Sequence, residues 1–298
     1  MKKQLIGFLA LFSLISPALA NSDMRKWEFK DGTFLTAEMM DFQEESGVLT
    51  LRKEDKTVFK IDKGKLSPLD EAWLLQWVEF TEEAQALIAK LGGKLEKHAS
   101  QGRFPTEYSV YHPSADIPEA ERPLLILFHP GGNGHRDILR YIEAADAVKM
   151  TLVSCEVFQN TGDDDAKEAE LLERFKELLP QIESTVPHNP NRMFMGGVSG
   201  GGWRAFHYSA QVQRPWAGIF ANCSWVGNAK WWDLPYPKMR VAMVSGNNDY
   251  GRYTLEDDIR VIQQSGSTIS VQAFEGGHQV APPNVMTKAF RWLLGEIE

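Results

Sequence analysis

Beyond Arg103 short apolar runs alternate with segments whose apolar residues recur at three- and four-residue spacing. The runs are "YSVYHP", "LLILFHP", "TLVSCEVF", "RMFMGGVS", "GIFANCSW", "RVAMVSGNND" and "TISVQAFEGGH", and each reads as a strand. Between most of them lie the helical patterns "HRDILRYIEAADAVK", "DAKEAELLERFKELLPQI", "GGWRAFHYSAQV" and "TLEDDIRVIQQS", with "NVMTKAFRWLL" closing the chain. Apolar strands bounded by amphipathic helices predict an α/β fold, a mainly parallel sheet covered on both faces. Residues 25 to 66 have another texture. In "VLTLR" and "TVFKI" apolar and polar positions partly alternate between turn signals such as Asp31-Gly32 and "KEDK", which predicts a small antiparallel barrel. From Ser67 to about Leu95 the spacing is helical, with Trp73, Leu74, Trp77, Val78, Phe80, Leu87, Ile88 and Leu91 on it, and Gly92-Gly93 marks its end. The predicted division is a leader at 1–20, a small barrel at 21–70, a helical connector docked between domains at 71–99, and a large α/β domain at 100–298.

The leader follows from the first residues. Lys2 and Lys3 precede the apolar run "LIGFLALFSLI", then Pro17 and Ala18-Leu19-Ala20, the pattern of a cleaved secretory signal. The apolar run is shorter than the roughly 20 residues that span a bilayer, so a soluble secreted or periplasmic protein is expected. The chain carries 32 basic and 40 acidic residues, a formal charge of −8 that becomes −10 without the leader's two lysines. With no concentrated basic stripe, neither nucleic acid nor an anionic membrane is an expected partner. Two cysteines are too few for a disulfide scaffold.

The candidate chemistry sits in "FMGGVSGGGWRAF", residues 194–206. Gly197-Val198-Ser199-Gly200-Gly201 fits G-x-S-x-G, follows an apolar strand and opens an amphipathic helix, the context of a nucleophile elbow. Small residues on either side let strand and helix approach a strained serine. A phosphate-binding loop would need G-x-x-x-x-G-K-[ST], and no lysine is present here. A serine hydroxyl needs a base and a group to orient that base, which follow an elbow in the order acid, then histidine. Only His207 and His278 lie downstream of Ser199, and His207 falls inside the next helix, so His278 is the candidate base. Among the acids between them, Asp249 just past "RVAMVSG" is the first candidate and Asp233 the second. Glu256, Asp257 and Asp258 read as the acidic first turn of a helix. The oxyanion donors expected are the N–H groups of Gly200 and, from "FHPGGNG", Gly131 or else Gly132, with His129 bracing that loop.

Residues 100–298 resemble the α/β-hydrolase family, nearest to secreted esterases of the polyhydroxyalkanoate-depolymerase and feruloyl-esterase kind. "NPNRMFMGGVSGGG" resembles their elbow segment and "PLLILFHPGGNG" their oxyanion segment, with Pro130 standing where a glycine is common. The resemblance implies a Ser199, Asp249, His278 triad acting on carboxylic esters through an acyl-enzyme. Its strand order also implies that Cys155 and Cys223 sit on strands separated by two others, about 14 Å at roughly 4.8 Å per strand, too far for a disulfide. Two free, buried thiols are expected.

The first module resembles the SH3-like homology domain of an endocytic actin-assembly adaptor, on Trp27, Phe34, Ala37, Phe42, Gly47, Val48, Leu51, Lys53, Asp55, Val58, Ile61 and the closing Leu66-Ser67-Pro68-Leu69-Asp70. It implies a fold and a peptide or protein ligand without assigning a pocket.

"DDD" at 163–165 reads as a helix cap, and no histidine–cysteine spacing reads as zinc, so neither a metal nor any other cofactor is expected. "SWVGNAKWWDLPYP" places Trp225, Trp231, Trp232 and Tyr236 between the elbow helix and Asp249, either as rings that stack on a sugar or phenolic acyl group or as a hydrophobic cap on the sheet. The expected function is an exported serine esterase acting on small-molecule or polysaccharide esters. A serine peptidase of the same fold and a non-catalytic protein working through its barrel are the alternatives.

Overall fold

The computed structural model describes residues 24–53, 55, 57–162 and 164–297. The predicted leader lies outside the described residues. Four antiparallel strands open the described chain: β1 (Met24–Glu28), β2 (Phe34–Gln43), β3 (Val48–Arg52) and β4 (Val58–Asp62), in the spatial order β1-β2-β3-β4. Alternation decides which face is buried, since Leu49 and Leu51 point inward with Trp27, Ala37, Leu66 and Leu74 to form a small core. The register of β2 slips between Met39 and Asp41, a bulge that bends the strand. After β4 the chain returns to the free edge of β1, where Ser67 N–H donates to the Glu28 carbonyl (2.8 Å) and Lys30 N–H to that of Lys65 (2.9 Å). The ladder order is thus a four-stranded meander whose ends meet through the single bridge Phe29–Leu66, not a fully paired closed barrel.

Helix α1 (Pro68–Leu91) starts where Ser67 Oγ accepts from Asp70 N–H and stops at Gly92, whose φ of 71° ends the helix in the left-handed region. The connector is helical only that far. Residues 94–99, assigned to it from sequence, form β5 (Lys94–Ala99), which pairs antiparallel with β6 (Glu107–His112) as the edge of the large sheet. Its mixed exposure explains the misreading, because an edge strand with Lys94, Glu96 and Lys97 lacks the apolar run of a central one.

The large sheet continues with β7 (Leu124–Phe128), β8 (Thr151–Cys155), β9 (Met193–Val198), β10 (Trp216–Asn222), β11 (Arg240–Gly246) and β12 (Thr268–Phe274). Its order is β12-β11-β10-β9-β7-β8-β6-β5, parallel from β8 to β12 and antiparallel at β6 and β5. On β7, Leu124, Ile126 and Phe128 face one core while Leu125 and Leu127 face the other. The first core is covered by α4 (Asp165–Thr185), α5 (Gly200–Gln211) and α6 (Leu255–Gln264). The second is covered by α3 (Ile142–Ala147), α7 (Pro283–Leu294) and the last turns of α1 through Ile88 and Leu91. The single helix expected over 135–149 is instead α2 (Gly134–Asp137), a 3-10 turn at Ile138–Arg140 and α3. Asp164 caps α4 by accepting from Lys167 N–H (3.0 Å), whereas Asp163 lies outside the described residues. No helix among the described residues is long and apolar enough to cross a membrane.

Asp70 fastens α1 to the small sheet. Its carboxylate, 2% exposed, accepts from Arg25 Nε (2.9 Å), from Arg25 Nη2 and from Glu28 N–H (2.5 Å). Asp70→Ala leaves those donors without their ionised acceptor, an expected loss of about 2–3 kcal/mol. Hydrogen exchange of the β1 amides should accelerate while those of β7 to β11 stay protected; unchanged β1 protection would refute this role.

Candidate active site

The turn from β9 into α5 places Ser199 at φ 54°, ψ −127°, a conformation that costs a non-glycine residue energy and persists only when its surroundings enforce it. The enforcing contact is a single carbonyl. A Cβ on Gly197 would lie 2.0 Å from Phe128 O and one on Gly201 1.9 Å from the same atom, so only glycines let the end of β7 fit beneath the turn. Ser199 N–H donates to Asn222 O (2.9 Å), and Gly202 N–H closes the first turn onto Ser199 O (3.1 Å).

Two loops from other strand ends meet this serine. His278 Nε2 lies 2.9 Å from Ser199 Oγ and its Nδ1 lies 2.8 Å from Asp249 Oδ1. Asp249 caps a 3-10 turn over Tyr250–Thr254, and the same oxygen accepts from Gly251 N–H (2.9 Å). Burial raises the Asp249 carboxyl, but the hydrogen bonds from His278, Gly251 and Cys223 outweigh it and hold the group below the ordinary carboxylate value. Ser199, His278 and Asp249 are therefore brought into one hydrogen-bonded line. Asp249, rather than the exposed Asp233, meets the imidazole.

Of the candidate oxyanion glycines, Gly200 is the first residue of α5, where backbone N–H groups have no partner within the helix. Gly132 N–H is engaged, donating to His129 O (3.1 Å). His129 is 1% exposed, stacks edge-on against Tyr141 and places Nδ1 3.4 Å from Asp137 Oδ2. Burial lowers its pKa, so it sits as a neutral brace beneath the loop.

The four aromatic candidates separate. Trp225 lies 6.4 Å from the His278 ring and against Gly251, beside the triad. Trp231 packs on His207 (4.1 Å) and Trp203 (5.6 Å), with Lys230 over its face. Trp232 donates from Nε1 to Gly227 O (3.0 Å) under Arg260, and Tyr236 donates to Trp231 O (2.9 Å) while packing on Phe206. Trp232 and Tyr236 thus pack against the core and spend their donors within this segment, while Trp231 packs on His207 and Trp203. His207 belongs to the same cap. Burial pushes it down to about 3 while its Nε2 donates to Val226 O (3.0 Å).

Sequence reasoning passed over three residues at the site. Tyr250, adjacent to Asp249, stacks on the His278 ring at 4.3 Å and remains 68% exposed. Asn222 is fully buried and clamps the histidine loop, donating from Nδ2 to Gln279 O (3.0 Å) and accepting at Oδ1 from Ala281 N–H (2.7 Å). Arg204 on α5, 1% exposed, binds both oxygens of Glu168 (2.9 and 2.8 Å) and the carbonyls of Phe158 (2.6 Å) and Gln159 (3.0 Å). Its place four residues after Gly200 was the only signal available in the sequence.

Both cysteines are free and buried, on or next to strands with two others between them. Cys155 is a core residue, but Cys223 is not merely that. It has φ 45°, its Sγ lies 3.2 Å from Gln279 O, and its single S–H also faces the Asp249 carboxylate, which it helps to hold ionised. Cys223, Asp249 and His278 place ligand-type atoms within 4.8 Å of one another. Burial pushes the Cys223 thiol up to about 12, so the thiolate a metal would require is disfavoured, and the carboxylate and imidazole are already paired.

No family model and no curated protein sequence matches this chain. Solved structures do. Esterase LipW from Mycobacterium marinum superposes with a TM-score of 0.57 at 14% identity, covering 73% of this chain and 86% of its own. The esterase from Pyrobaculum calidifontis gives 0.55 at 12% identity over 78% and 99%. The S-formylglutathione hydrolase FrmB from Staphylococcus aureus gives 0.52 at 11% identity over 68% and 96%. The chain has the α/β-hydrolase fold. At these identities the likeness is one of fold, and the chemistry must be argued from this chain's own residues.

Asp258 of α6 illustrates how the hydrolase fold fixes the rim of the site. It is 1% exposed, accepts from Val226 N–H (2.9 Å) and Thr254 Oγ1 (2.9 Å), and so ties the segment after Trp225 to α6 rather than serving as an exposed first-turn acid. Burial raises its pKa to about 6. An unfolded carboxyl titrates near about 3.9, so between these values the folded state holds a proton the unfolded state has released. Stability contributed by this group is present at low pH and lost as pH rises through about 6. Asp258→Asn removes that penalty, so its melting temperature relative to wild type should be more favourable at about pH 7.5 than at about pH 4.5. The same difference at both pH values, measured by scanning calorimetry, would rule this out.

Proposed function

We propose that this chain is an exported serine hydrolase that cleaves carboxylic esters through an acyl-enzyme. One observation carries the reading: Asp249, His278 and Ser199 lie in hydrogen-bonded sequence at 2.8 and 2.9 Å on a strained strand-to-helix turn. In the first half-reaction Ser199 Oγ attacks the ester carbonyl carbon, its proton passes to His278 Nε2, and the carbonyl π pair moves onto oxygen. Collapse of that tetrahedral species expels the alcohol, which takes the proton from His278. Water then repeats the sequence on the acyl-serine and releases the acid. Asp249 holds the imidazole in the tautomer with Nδ1 protonated and stabilises the imidazolium.

The oxyanion falls to the N–H groups of Gly200 and Gly131, the choice of Gly131 being supported by the engagement of Gly132 in its own turn. The exposed ring of Tyr250 and the half-buried Trp225, both near the His278 ring, make an aromatic flank on which a sugar or phenolic part of an ester would stack. Export rests on the basic, apolar and A-x-A pattern of residues 1–20, and an SH3-like module that binds a peptide or protein rests on the residues of the first sheet.

Labelling by a fluorophosphonate and hydrolysis of p-nitrophenyl acetate by the purified mature chain test the chemistry. Ser199→Ala should abolish labelling, His278→Ala should lower kcat by at least about 10³-fold and Asp249→Asn by up to about 10⁴-fold, with folding retained. Wild-type protein that neither labels nor hydrolyses an acetyl, feruloyl or longer acyl ester would overturn the enzyme reading. Labelling that survives Ser199→Ala would overturn the nucleophile.

A further inference from the structure

The loop after β8 runs beside the Ser199 turn, and Asn160 within it is tied to the neighbouring loop. Asn160 N–H donates to Pro130 O (2.8 Å), within the loop that supplies the Gly131 donor. Two residues earlier and one residue earlier, the carbonyls of Phe158 and Gln159 accept from the buried guanidinium of Arg204 on the nucleophile helix. Val157 N–H donates to Gly132 O (2.8 Å), so the segment is laced to the oxyanion loop at both ends.

This lacing presses the Asn160 side chain against the nucleophile turn. A Cβ built on Gly200 would fall 1.9 Å from Asn160 Oδ1, 2.7 Å from Cγ and 3.0 Å from Nδ2. The carboxamide thus lies over the Cα of the residue whose N–H is the first oxyanion donor, while its own backbone is bonded to the segment carrying the second. Oδ1 and Nδ2 flank the same point, and a half-turn about the terminal torsion exchanges them. Asn160 is exposed, so its placement comes from backbone hydrogen bonds and not from burial of its side chain.

We infer that Asn160 is a catalytic residue, its Nδ2 donating a third hydrogen bond to the oxyanion that forms on the substrate carbonyl. The inference rests on the serine-hydrolase reading above. A side-chain amide suits the role because it is a neutral donor on a short stem, held before the reaction begins and needing no reorganisation as charge develops. It also gives Gly200 a reason to be glycine: any side chain there would displace the amide.

Removing a single oxyanion donor costs about 10²–10³ in kcat. The experiment compares wild type, Asn160→Ala and Asn160→Asp with p-nitrophenyl acetate as substrate and an aryl trifluoromethyl ketone as the inhibitor that forms a tetrahedral adduct on Ser199. Asn160→Ala should lower kcat about 10²-fold with KM changed less than threefold, and should raise the ketone's Ki by a factor similar to the loss in kcat. Asn160→Asp keeps the shape but turns a carboxylate toward the anion, so it should fall at least as far. A merely structural role would weaken substrate and adduct binding alike and would let the isosteric Asn160→Asp recover activity. Asn160→Ala within threefold of wild type in both kcat and Ki overturns this proposal while leaving the triad reading intact. Failure of wild type to hydrolyse the ester or bind the ketone overturns the triad reading, and this proposal with it.

Discussion

The contact between Phe128 O and the two glycines of the elbow is the constraint on which the site depends. Gly197 and Gly201 both face that carbonyl, so β7 can run directly beneath the strained turn at Ser199. Because the residues that follow β7 are His129 to Gly132, the contact that admits the turn also sets the distance from Ser199 to that loop. A β-carbon at either glycine would push the end of β7 outward and take the loop with it. Strain at Ser199 and position of the oxyanion donors are therefore one steric arrangement, enforced by β7, β9 and α5 together.

The histidine side is fixed by a residue that touches neither substrate nor imidazole. Asn222, at the end of β10, accepts Ser199 N–H on its backbone oxygen and grips the loop around His278 with both ends of its carboxamide. Cys223 follows in the left-handed region and directs its thiol to the same loop and to Asp249. One strand end thus refers nucleophile, base and acid to a common origin. This fits a buried amide bonded at both its oxygen and its nitrogen, which specifies geometry because a small displacement would leave its partners unpaired.

Local signals carried Ser199, Asp249 and His278, since a strand, a glycine turn and a helix start are all written within a few residues. The partial alternation of "VLTLR" likewise marks Leu49 and Leu51 as the buried positions of β3, and the continuous apolar runs of β7 and β11 mark strands covered on both faces. What could not be read locally depends on distant partners. Strand β5 is polar because it lies at an edge, so nothing in "KLEKHA" distinguishes it from the end of a helix until Tyr111 and Val110 are seen opposite it. Asp258 resembles any acidic first-turn residue until the Val226 N–H reaches it. For Trp231 and Trp232 the sequence leaves ligand surface and cap open, because aromatic residues near a site serve equally as either, and their contacts with His207 and Gly227 come from residues outside that dipeptide. Arg204 and Asn160 are 44 residues apart in sequence, and no spacing rule links them.

Helix α1 shows how the small sheet is joined to this machinery. Its 24 residues span about 36 Å at roughly 1.5 Å per residue. Leu74 near its start lies in the small core, whereas Ile88 and Leu91 at its end pack against the large one. On the same helix Trp73 and Phe80 receive the guanidinium groups of Arg136 (5.6 Å) and Arg140 (5.1 Å). Each such contact is worth only about 0.5–1 kcal/mol at an exposed position, but the two arginines belong to α2 and the following turn, which begin at Gly134, just after the oxyanion loop. A continuous helix has no hinge of its own, so displacing the small sheet must either break α1 or strip Ile88 and Leu91 from the large core. The α1 contacts therefore reach the segment that follows Gly131 and Gly132, and the small sheet bears on the large one through that helix.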